Sequence, residues 1–454
     1  MEKYKLGNIA TVEISGVDKK MKDGEKEIHL CNFVDVYYNW AITTAQYDSF
    51  MLATARPNEI SKFQLKKGQV ALTKDSETRD DIGIPTYIGN DFDDVILGYH
   101  CALITPNKNV LDGRYLNALL HTDYAKKYFA CNASGSGQRY ALSAEALNSF
   151  PVPVIPLQEQ KRIGEIFSAL DKKIELNHAI NQNLEAMAKQ LYDYWFVQFD
   201  FPNEEGKPYK SSGGKMVWNE MLKREIPENW HSDNICLIAD ILSGGTPSKQ
   251  INEYWNCGHI PFFGPTDYNG SMFQLQTADK ITESGLQHCS SSLFEENTII
   301  ITARGSIGKL VIVGTPMAMN QSCYALKSKN EEYEYLYFLT IQLIESLKAK
   351  GSGSVFKSII ASDIENTMLC VANKEIISLF CDKVSTVMKQ IKKNTQEMIH
   401  LTKQRNELLP LLMNGQVSVN SDLSVCINLI IRTTTRICSY PNDLFWSYLR
   451  IVFL

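Results

Sequence analysis

The sequence contains no apolar stretch of about 20 residues, the length that a helix needs to span a bilayer. Residues 1–8 lack the apolar segment of a secretory signal peptide, so we expect a cytoplasmic protein that does not enter a membrane. The eleven cysteines include no Cys-x-x-Cys pair, and neither Cys257/His259 nor His288/Cys289 has zinc-finger spacing. An odd number of scattered thiols is typical of a reducing compartment. We therefore predict buried thiols and no metal site.

An excess of basic residues is also missing. Lys and Arg number 46 against 51 Asp and Glu, a net charge of −5. Binding to phosphate needs positive charge at the interface, so the balance argues mildly against nucleic acid but permits a local basic patch. With 44% hydrophobic and 21% charged residues, the composition is that of a globular protein.

Catalytic motifs are missing as well. The segment 305–309 (Gly-Ser-Ile-Gly-Lys) is too short for a phosphate-binding loop, and Leu310 stands where Ser or Thr should hold magnesium. The Gly-Ser-Gly segments 135–137 and 351–353 lack the third glycine of a dinucleotide-binding fingerprint. No serine-hydrolase elbow, His-Glu-x-x-His motif or amino-methyltransferase motif is found. We predict a binding protein without a catalytic site.

Two long amphipathic helices are predicted, one in each half of the chain. In each, apolar residues recur at alternating spacings of three and four, the a/d pattern of a coiled coil. The first series is Ile163, Phe167, Leu170, Ile174, Asn177, Asn181, Leu184, Ala188, Leu191 and Trp195. The second is Phe380, Val384, Val387, Ile391, Asn394, Met398, Leu401, Arg405, Leu408 and Leu412. Each member of the second follows its counterpart by 217 residues, as 163 and 380 show, so Asn394 takes the position of Asn177. The asparagines either fix the register or lie off the seam and face water.

The segments before the helices also correspond. Residues 65–73 resemble 293–302, each a turn leading into a buried strand, and 6–16 resemble 235–245. A segment rich in Pro, Gly and Ser separates the halves. The predicted divisions are a globular domain (1–155), a helix (156–200), a linker (201–227), a second globular domain (228–372), a second helix (373–416) and an atypical tail (417–454).

The central stretch 191–203 (Leu-Tyr-Asp-Tyr-Trp-Phe-Val-Gln-Phe-Asp-Phe-Pro-Asn), together with 207–217 and 226–230, resembles the specificity subunit of type I restriction–modification systems. Pro-Leu-Gln-Glu-Gln at 156–160 and residues 409–416 resemble the helix-start and C-terminal motifs of that family. The second helix departs from the pattern, since it begins with Asn-Lys-Glu-Ile at 373–376. The tail matches nothing in the first half, and is either a fused segment or an added element packed on the second domain.

The resemblance implies an α+β fold with two target recognition domains, each followed by a long helix. The two helices would pair as an antiparallel coiled coil, in an internal pseudo-twofold repeat. It implies a non-catalytic subunit that binds double-stranded DNA at a bipartite site and docks methyltransferase and endonuclease/translocase subunits. S-adenosylmethionine, ATP and magnesium would be bound by those partners, and this chain would need no cofactor. A helix over 157–199 would be ~65 Å long, so the helices would set the gap between half-sites.

Base reading requires side chains that form paired hydrogen bonds with base edges, and such residues belong on loops. The candidates follow the buried strands and the Gly-Ser-Gly loops: Lys74, Arg79, Gln138, Arg139 and Tyr140 in the first domain, and Arg304, Ser306, Lys309, Asn320, Gln321 and Lys357 in the second. Each is alternatively a solvated charge or a phosphate contact. Two other functions stay open: a coiled-coil scaffold that does not touch DNA, and a restriction enzyme with its own catalytic site.

Overall fold

The computed structural model describes residues 2–135, 137, 139–350 and 358–413. Gln138, Lys357, the second Gly-Ser-Gly segment, the end of the second helix at 414–416 and the tail 417–454 lie outside the described residues. The described chain forms two compact units. Among the described residues, the first contains those up to Glu175 and those from His400 to Met413, and the second contains Leu176–Ile399. Each unit thus holds one globular domain and part of each long helix.

The first globular domain is built on a five-stranded sheet. The strands of the whole domain are β1 (Glu2–Lys5), β2 (Ala10–Ile14), β3 (Lys26–Cys31), β4 (Ala41–Ile42), β5 (Met51–Ala55), β6 (Val70–Thr73), β7 (Asp75–Ser76), β8 (Pro85–Ile88), β9 (Val95–Leu97), β10 (Cys101–Pro106), β11 (Ser134–Gly135), β12 (Tyr140–Ala141) and β13 (Pro151–Val154). Its helices are α1 (Leu6–Ile9), α2 (Phe33–Tyr38), α3 (Pro57–Phe63), α4 (Gly113–Leu120), α5 (Asp123–Asn132) and α6 (Ala144–Asn148).

The main sheet has the order β2-β10-β6-β8-β4, antiparallel except for the parallel pair β8–β4. All four residues of β6 are buried, which explains why this strand is a continuous apolar run rather than an alternating one. A second sheet, β5-β3-β9, a small sheet, β11-β12-β7, and the two-stranded sheet β1-β13 complete the domain. Apolar side chains of α4 and α5 pack with those of the main sheet in one core.

The second globular domain repeats this plan. Its strands are β16 (His231–Asp233), β17 (Ala239–Ser243), β18 (Ile260–Phe263), β19 (Phe273–Gln274), β20 (Lys280–Ile281), β21 (Ile299–Thr302), β22 (Leu310–Val313), β23 (Ala318–Met319), β24 (Cys323–Ser328) and β25 (Leu369–Val371). They follow the linker hairpin β14 (Met216–Asn219) and β15 (Arg224–Pro227). The helices are α8 (Glu283–Gln287), α9 (Tyr333–Lys350) and α10 (Ala361–Glu365).

The strand orders show that the domains are copies. The main sheet of the second domain is β17-β24-β21-β22-β19, again antiparallel except for its last pair. Its second sheet, β20-β18-β23, has one antiparallel and one parallel pair, as β5-β3-β9 has. The strands β6 and β21 occupy the same place in their sheets. The predicted duplication, and the match of 65–73 with 293–302, are therefore confirmed.

The long helices are α7 (Leu157–Tyr192), which continues as a π-helical turn (Asp193–Val197), and α11 (Lys374–Met413). Within the second unit they run antiparallel, because Asn177 bonds to Glu397 while Asn181 bonds to Asn394. Asn177, Asn181 and Asn394 are all buried, which excludes the alternative that they face water. The bond of Asn394 is made with Asn181 and not with Asn177.

None of the residues that we predicted to pair the helices is exposed. Buried members are Ile163, Phe167, Leu170, Asn177, Val384, Ile391 and Asn394. Half-buried members are Ile174, Leu184, Leu191, Val387, Leu401 and Leu408. Part of this burial is against the globular domains, since Ile163 and Phe167 share a core with α4, α5 and the main sheet. The apolar pattern alone did not separate these two kinds of packing.

The first residues of the two long helices are held differently. Gln160 of the Pro-Leu-Gln-Glu-Gln motif is fully buried and donates to the carbonyls of Val110 and Ile155, while its oxygen accepts from the backbone of Asp112. In α11 the corresponding residue is the buried Ile377, which offers no such hydrogen bonds. The start of the second helix is therefore held by apolar packing, where the first is held by the hydrogen bonds of Gln160.

The segment between the halves is folded. Asp200 accepts hydrogen bonds from the backbone and hydroxyl of Ser211 (2.7 and 2.6 Å), and β14 pairs with β15. Trp230 stacks on Phe201 and contacts Phe196 and Phe199. The central motif 191–203 is therefore an aromatic cluster that joins the end of α7 to the second domain.

Candidate nucleic-acid interface

In both domains one loop leaves the main sheet after a threonine and returns at a glycine. The same two hydrogen bonds to the threonine close the loop in each domain, and we call this arrangement the base of the loop. The backbone NH of Gly83 donates to the carbonyl of Thr73 (3.0 Å), and the NH of Ile84 donates to the hydroxyl of Thr73 (2.9 Å). In the second domain the NH groups of Gly308 and Lys309 bond in the same way to Thr302, at 2.8 and 3.0 Å. Both glycines have positive φ, 80° and 74°, in the region that favours glycine.

The loops above this base differ in length. The first spans residues 74–82 and the second only 303–307. We call them the first and second sheet loops. Because the threonine and glycine contacts are shared, the difference lies in the residues between them. Lys74 and Arg79 belong to the first sheet loop, Arg304 and Ser306 belong to the second, and Lys309 follows the glycine that closes the second.

The first domain gathers three basic side chains around one carboxylate. Asp75 Oδ2 lies 2.8 Å from Lys74 Nζ and 3.7 Å from an Arg139 guanidinium nitrogen, and it is hydrogen-bonded to His100 Nδ1. Burial tends to raise the pKa of Asp75, but hydrogen bonds from Lys74 and His100 outweigh it and hold the pKa below its ordinary value. The carboxylate is therefore charged at neutral pH. We call these four residues the Asp75 cluster.

The members of the cluster differ in access to solvent. The side chain of Arg139 is 61% exposed, whereas those of Lys74 and Asp75 are 13% and 9% exposed. Lys74 is thus engaged inside the domain, and Arg139 presents its charge to solvent. Beside it, the guanidinium of Arg79 lies 5.1 Å from the ring centre of Tyr140, an arrangement that restricts the arginine. The candidates Lys74, Arg79, Arg139 and Tyr140 therefore lie together at one end of the main sheet.

The second domain also presents polar side chains beside its sheet loop. Arg304, Ser306 and Lys309 are exposed, and Lys309 Nζ lies 5.4 Å from the ring centre of Tyr268. Both domains therefore place a cation over a tyrosine near the sheet loop. The backbone NH of Arg304 donates to the carbonyl of Ser322 (3.2 Å), which joins this loop to the segment 320–322.

The two amide candidates of that segment face different ways. The side-chain oxygen of Asn320 accepts from the backbone NH of Ser322 (2.9 Å), so Asn320 caps a turn. Gln321 is exposed, and its oxygen accepts a hydrogen bond from the hydroxyl of Thr246. Gln321 is therefore the better placed of the two for contact with a ligand.

Sequence reasoning missed Asp75, His100 and Thr246. His100 lies 25 positions from Asp75 and reaches it because β10 pairs with β6, which sets Cys101 beside Thr73. His100 also has a positive φ of 74°, an uncommon conformation for a residue other than glycine. Only strand pairing reveals this neighbourhood, and no spacing rule would have found it.

Among the described residues, no group of three or more His, Cys, Asp or Glu side chains is arranged to hold a metal ion. No helix within the described ranges is both long and apolar enough to cross a membrane.

The chain belongs to the family of type I restriction–modification DNA specificity domains, whose model matches residues 1–186 and 227–403. It is 25% identical over 409 residues to the specificity subunit of the type I restriction enzyme HindI from Haemophilus influenzae, covering 79% of this chain and 88% of that protein. It is 27% identical over 323 residues to the MjaIX specificity subunit from Methanocaldococcus jannaschii, covering 70% and 71%. The resemblance found in the sequence is confirmed.

A solved structure has the same fold. The crystal structure of the type I restriction–modification S subunit from M. genitalium matches with a TM-score of 0.53 over 90% of this chain and 95% of that one. At 14% sequence identity this match bears on the fold alone. It agrees with the mixed α+β architecture and the two copies of one domain.

Proposed function

We propose that this chain is the DNA-reading subunit of a type I restriction–modification complex and that each globular domain reads one half of a bipartite sequence. The observation that carries the proposal is the pair of sheet loops, which share a threonine–glycine base and differ in length and residues. Two copies of one scaffold with different loops suit the reading of two different half-sites. A scaffold protein without DNA contact would not need that difference.

The exposed side chains are of the types that read base edges. Arginine forms paired hydrogen bonds with guanine, and glutamine with adenine. Arg79 and Arg139 supply such groups in the first domain, and Arg304 and Gln321 in the second. Lys309 is suited to a phosphate contact, which positions a protein on DNA without reading sequence. Local basic groups of this kind are compatible with the acidic net charge of the whole chain.

The long helices would act as the spacer between the two reading domains and as the docking surface for methyltransferase subunits. An endonuclease/translocase subunit would join the same complex. S-adenosylmethionine, ATP and magnesium would be bound by those partners. The buried asparagines support a spacer with one fixed register, because each polar group must meet its partner.

Mapping of methylated adenines across the genome, in cells with and without this gene, tests the proposal. We expect methylation at one bipartite motif that disappears with the gene and returns with the wild-type copy. Complementation with Arg304→Ala should alter methylation through one half-site and leave the gap unchanged. An unchanged methylation map after deletion of the gene would refute the proposal. A purified complex that fails to retain DNA at any salt concentration would favour the scaffold alternative.

A further inference from the structure

We propose that Arg139 reads a guanine in the half-site of the first domain and that Asp75 is the residue that positions it. This inference rests on the proposed function. It assigns a base and a positioning residue within the first domain, and it starts from the convergence at Asp75. Three segments of the chain contribute to that cluster: the strand β7 with Lys74 before it, the turn before β10 and the residue before β12.

The contacts hold one part of the guanidinium and leave the rest outward. One terminal nitrogen of Arg139 forms an ion pair with Asp75 Oδ2 at 3.7 Å and packs against the ring of His100, whose Nδ1 already donates to Asp75. Within the described residues, the other two guanidinium nitrogens of Arg139 form no hydrogen bond. The side chain is 61% exposed. Arg139 therefore has one anchored nitrogen and an accessible edge.

This anchoring matters because a free arginine side chain loses about 2 kcal/mol of conformational entropy when a ligand fixes it. The ion pair with Asp75 reduces the number of conformations before DNA arrives. The backbone supports the same placement, since Tyr140 pairs with Ser76 and Ala141 with Asp75. The position of Arg139 relative to the main sheet is thus set by strand pairing.

The neighbouring carboxylate favours a base over a phosphate. Asp75 offsets one of the two positive charges of Lys74 and Arg139 and so weakens the attraction of the cluster for a phosphate, which depends on net positive charge. It does not oppose the neutral oxygen and nitrogen acceptors of guanine, O6 and N7, which arginine contacts as a pair. Lys74 offsets the charge of Asp75 from the buried side and keeps the cluster stable.

The experiment uses the purified complex of this subunit with its methyltransferase partners and duplexes that carry the mapped site. Each G·C pair of either half-site is replaced in turn, and initial methylation rates are compared with the intact site. The complexes contain the wild-type subunit, Arg139→Ala, Asp75→Asn, the double variant, and Asp94→Asn. Asp94 is a matched control because it also bonds to a histidine and a hydroxyl, His29 and Tyr47, away from the sheet loop.

We expect Arg139→Ala to reduce discrimination at one G·C pair of one half-site by about tenfold or more. Asp75→Asn should reduce discrimination at the same pair and add nothing in the Arg139→Ala background, since it acts through Arg139. Asp94→Asn should leave discrimination unchanged. Thermal unfolding of each complex separates these effects from loss of folding.

Three results would overturn the inference. Equal weakening on all duplexes, with a shallower salt dependence, would make Arg139 a phosphate contact. No effect of Arg139→Ala would place it away from DNA, and an added loss from Asp75→Asn in the Arg139→Ala background would make Asp75 structural. A wild-type complex that methylates without sequence preference would instead refute the proposed function itself.

Discussion

The side-chain amide of Asn394 donates a 2.9 Å hydrogen bond to the side-chain oxygen of Asn181, and both residues are buried between the long helices of the second unit. The amide of Asn181 in turn donates to the carbonyl of Ile391 and the hydroxyl of Thr395, each at 3.2 Å. The polar groups are therefore satisfied in this register. A shift of either helix by one turn would bury them without partners.

We predict that Asn181→Leu lowers the free energy of unfolding by about 1–3 kcal/mol, because it leaves the buried amide of Asn394 without its acceptor. The double variant Asn181→Leu/Asn394→Leu should recover most of the loss, since both polar groups are then gone. Chemical denaturation measures both. Asn183→Leu, two residues further on and exposed, is the control and should change stability by less than about 0.5 kcal/mol. Equal losses for Asn181→Leu and Asn183→Leu would contradict the prediction.

A second polar contact between the long helices lies in the first unit. Arg405 lies 3.4 Å from Asp171, and its guanidinium carbon lies 4.4 Å from the ring centre of Trp40. Burial raises the pKa of Asp171 to about 7, and the opposing effect of Arg405 does not offset it. The folded protein therefore keeps a proton that the unfolded chain releases near pH 4. Stability falls as the pH rises from about 4 to about 7.

We predict that Arg405→Leu extends this loss of stability to higher pH. Without the guanidinium the pKa of Asp171 rises further, so stability should keep falling above pH 7 by up to about 1.4 kcal/mol per pH unit. Unfolding measured at pH 5, 6, 7 and 8 tests this. Asp171→Asn should flatten the profile, and Lys403→Leu, an exposed position on the same helix, should leave it as in the wild type. A profile of Arg405→Leu parallel to the wild type would refute the prediction.

We predict that Gln160→Leu destabilises the first domain by about 2–4 kcal/mol. The substitution removes two donated hydrogen bonds and one accepted bond and leaves partly buried backbone groups of Val110, Asp112 and Ile155 without these partners. Gln158→Leu is the control, because Gln158 is exposed in the same turn. Thermal and chemical unfolding of both variants decides the matter. Similar stability of the two would show that the motif has no structural role.

We predict that exchange of the sheet loops changes one half-site only. Residues 303–307 placed between Thr73 and Gly83 keep the hydrogen bonds of the base but remove β7 and the buried Ile82, so thermal unfolding is measured first to establish that the first domain folds. Mapping of methylated adenines should then show an altered first half-site, an unaltered second half-site and the same gap. In the control, glycine and serine residues take the place of the grafted 303–307 between Thr73 and Gly83. This control variant should abolish methylation. A graft that leaves the motif unchanged would show that these loops do not read DNA.

The sequence was sufficient for the duplication and the long helices because both depend on local periodicity. The match of Val70–Thr73 with Ile299–Thr302 identified the central strands, since a fully buried strand is a continuous apolar run. Periodicity was insufficient where partners are chosen by tertiary packing. Met388 and Thr395 are buried outside the predicted series, whereas Val387 is only half-buried.

The candidate site was predicted less completely, because charged residues on loops carry no periodic signal. Arg79, Arg139 and Tyr140 were identified by type and position, and the structure brings them together. The burial of Lys74 against Asp75 was not foreseen, since the sequence gives no sign of which lysines are enclosed. The turn-capping role of Asn320 also depends on a fold-specific turn.

The shared base of the sheet loops has a consequence for how such a protein acquires a new DNA address. Closing a longer flexible loop costs little entropy, about 0.6 kcal/mol for each doubling of its length. Insertions between Thr73 and Gly83, or between Thr302 and Gly308, therefore add almost nothing to the cost of folding and leave the strand pairs of the sheet untouched. Specificity can diverge at these two points under weak stability constraint, while the rest of the chain remains under strong constraint.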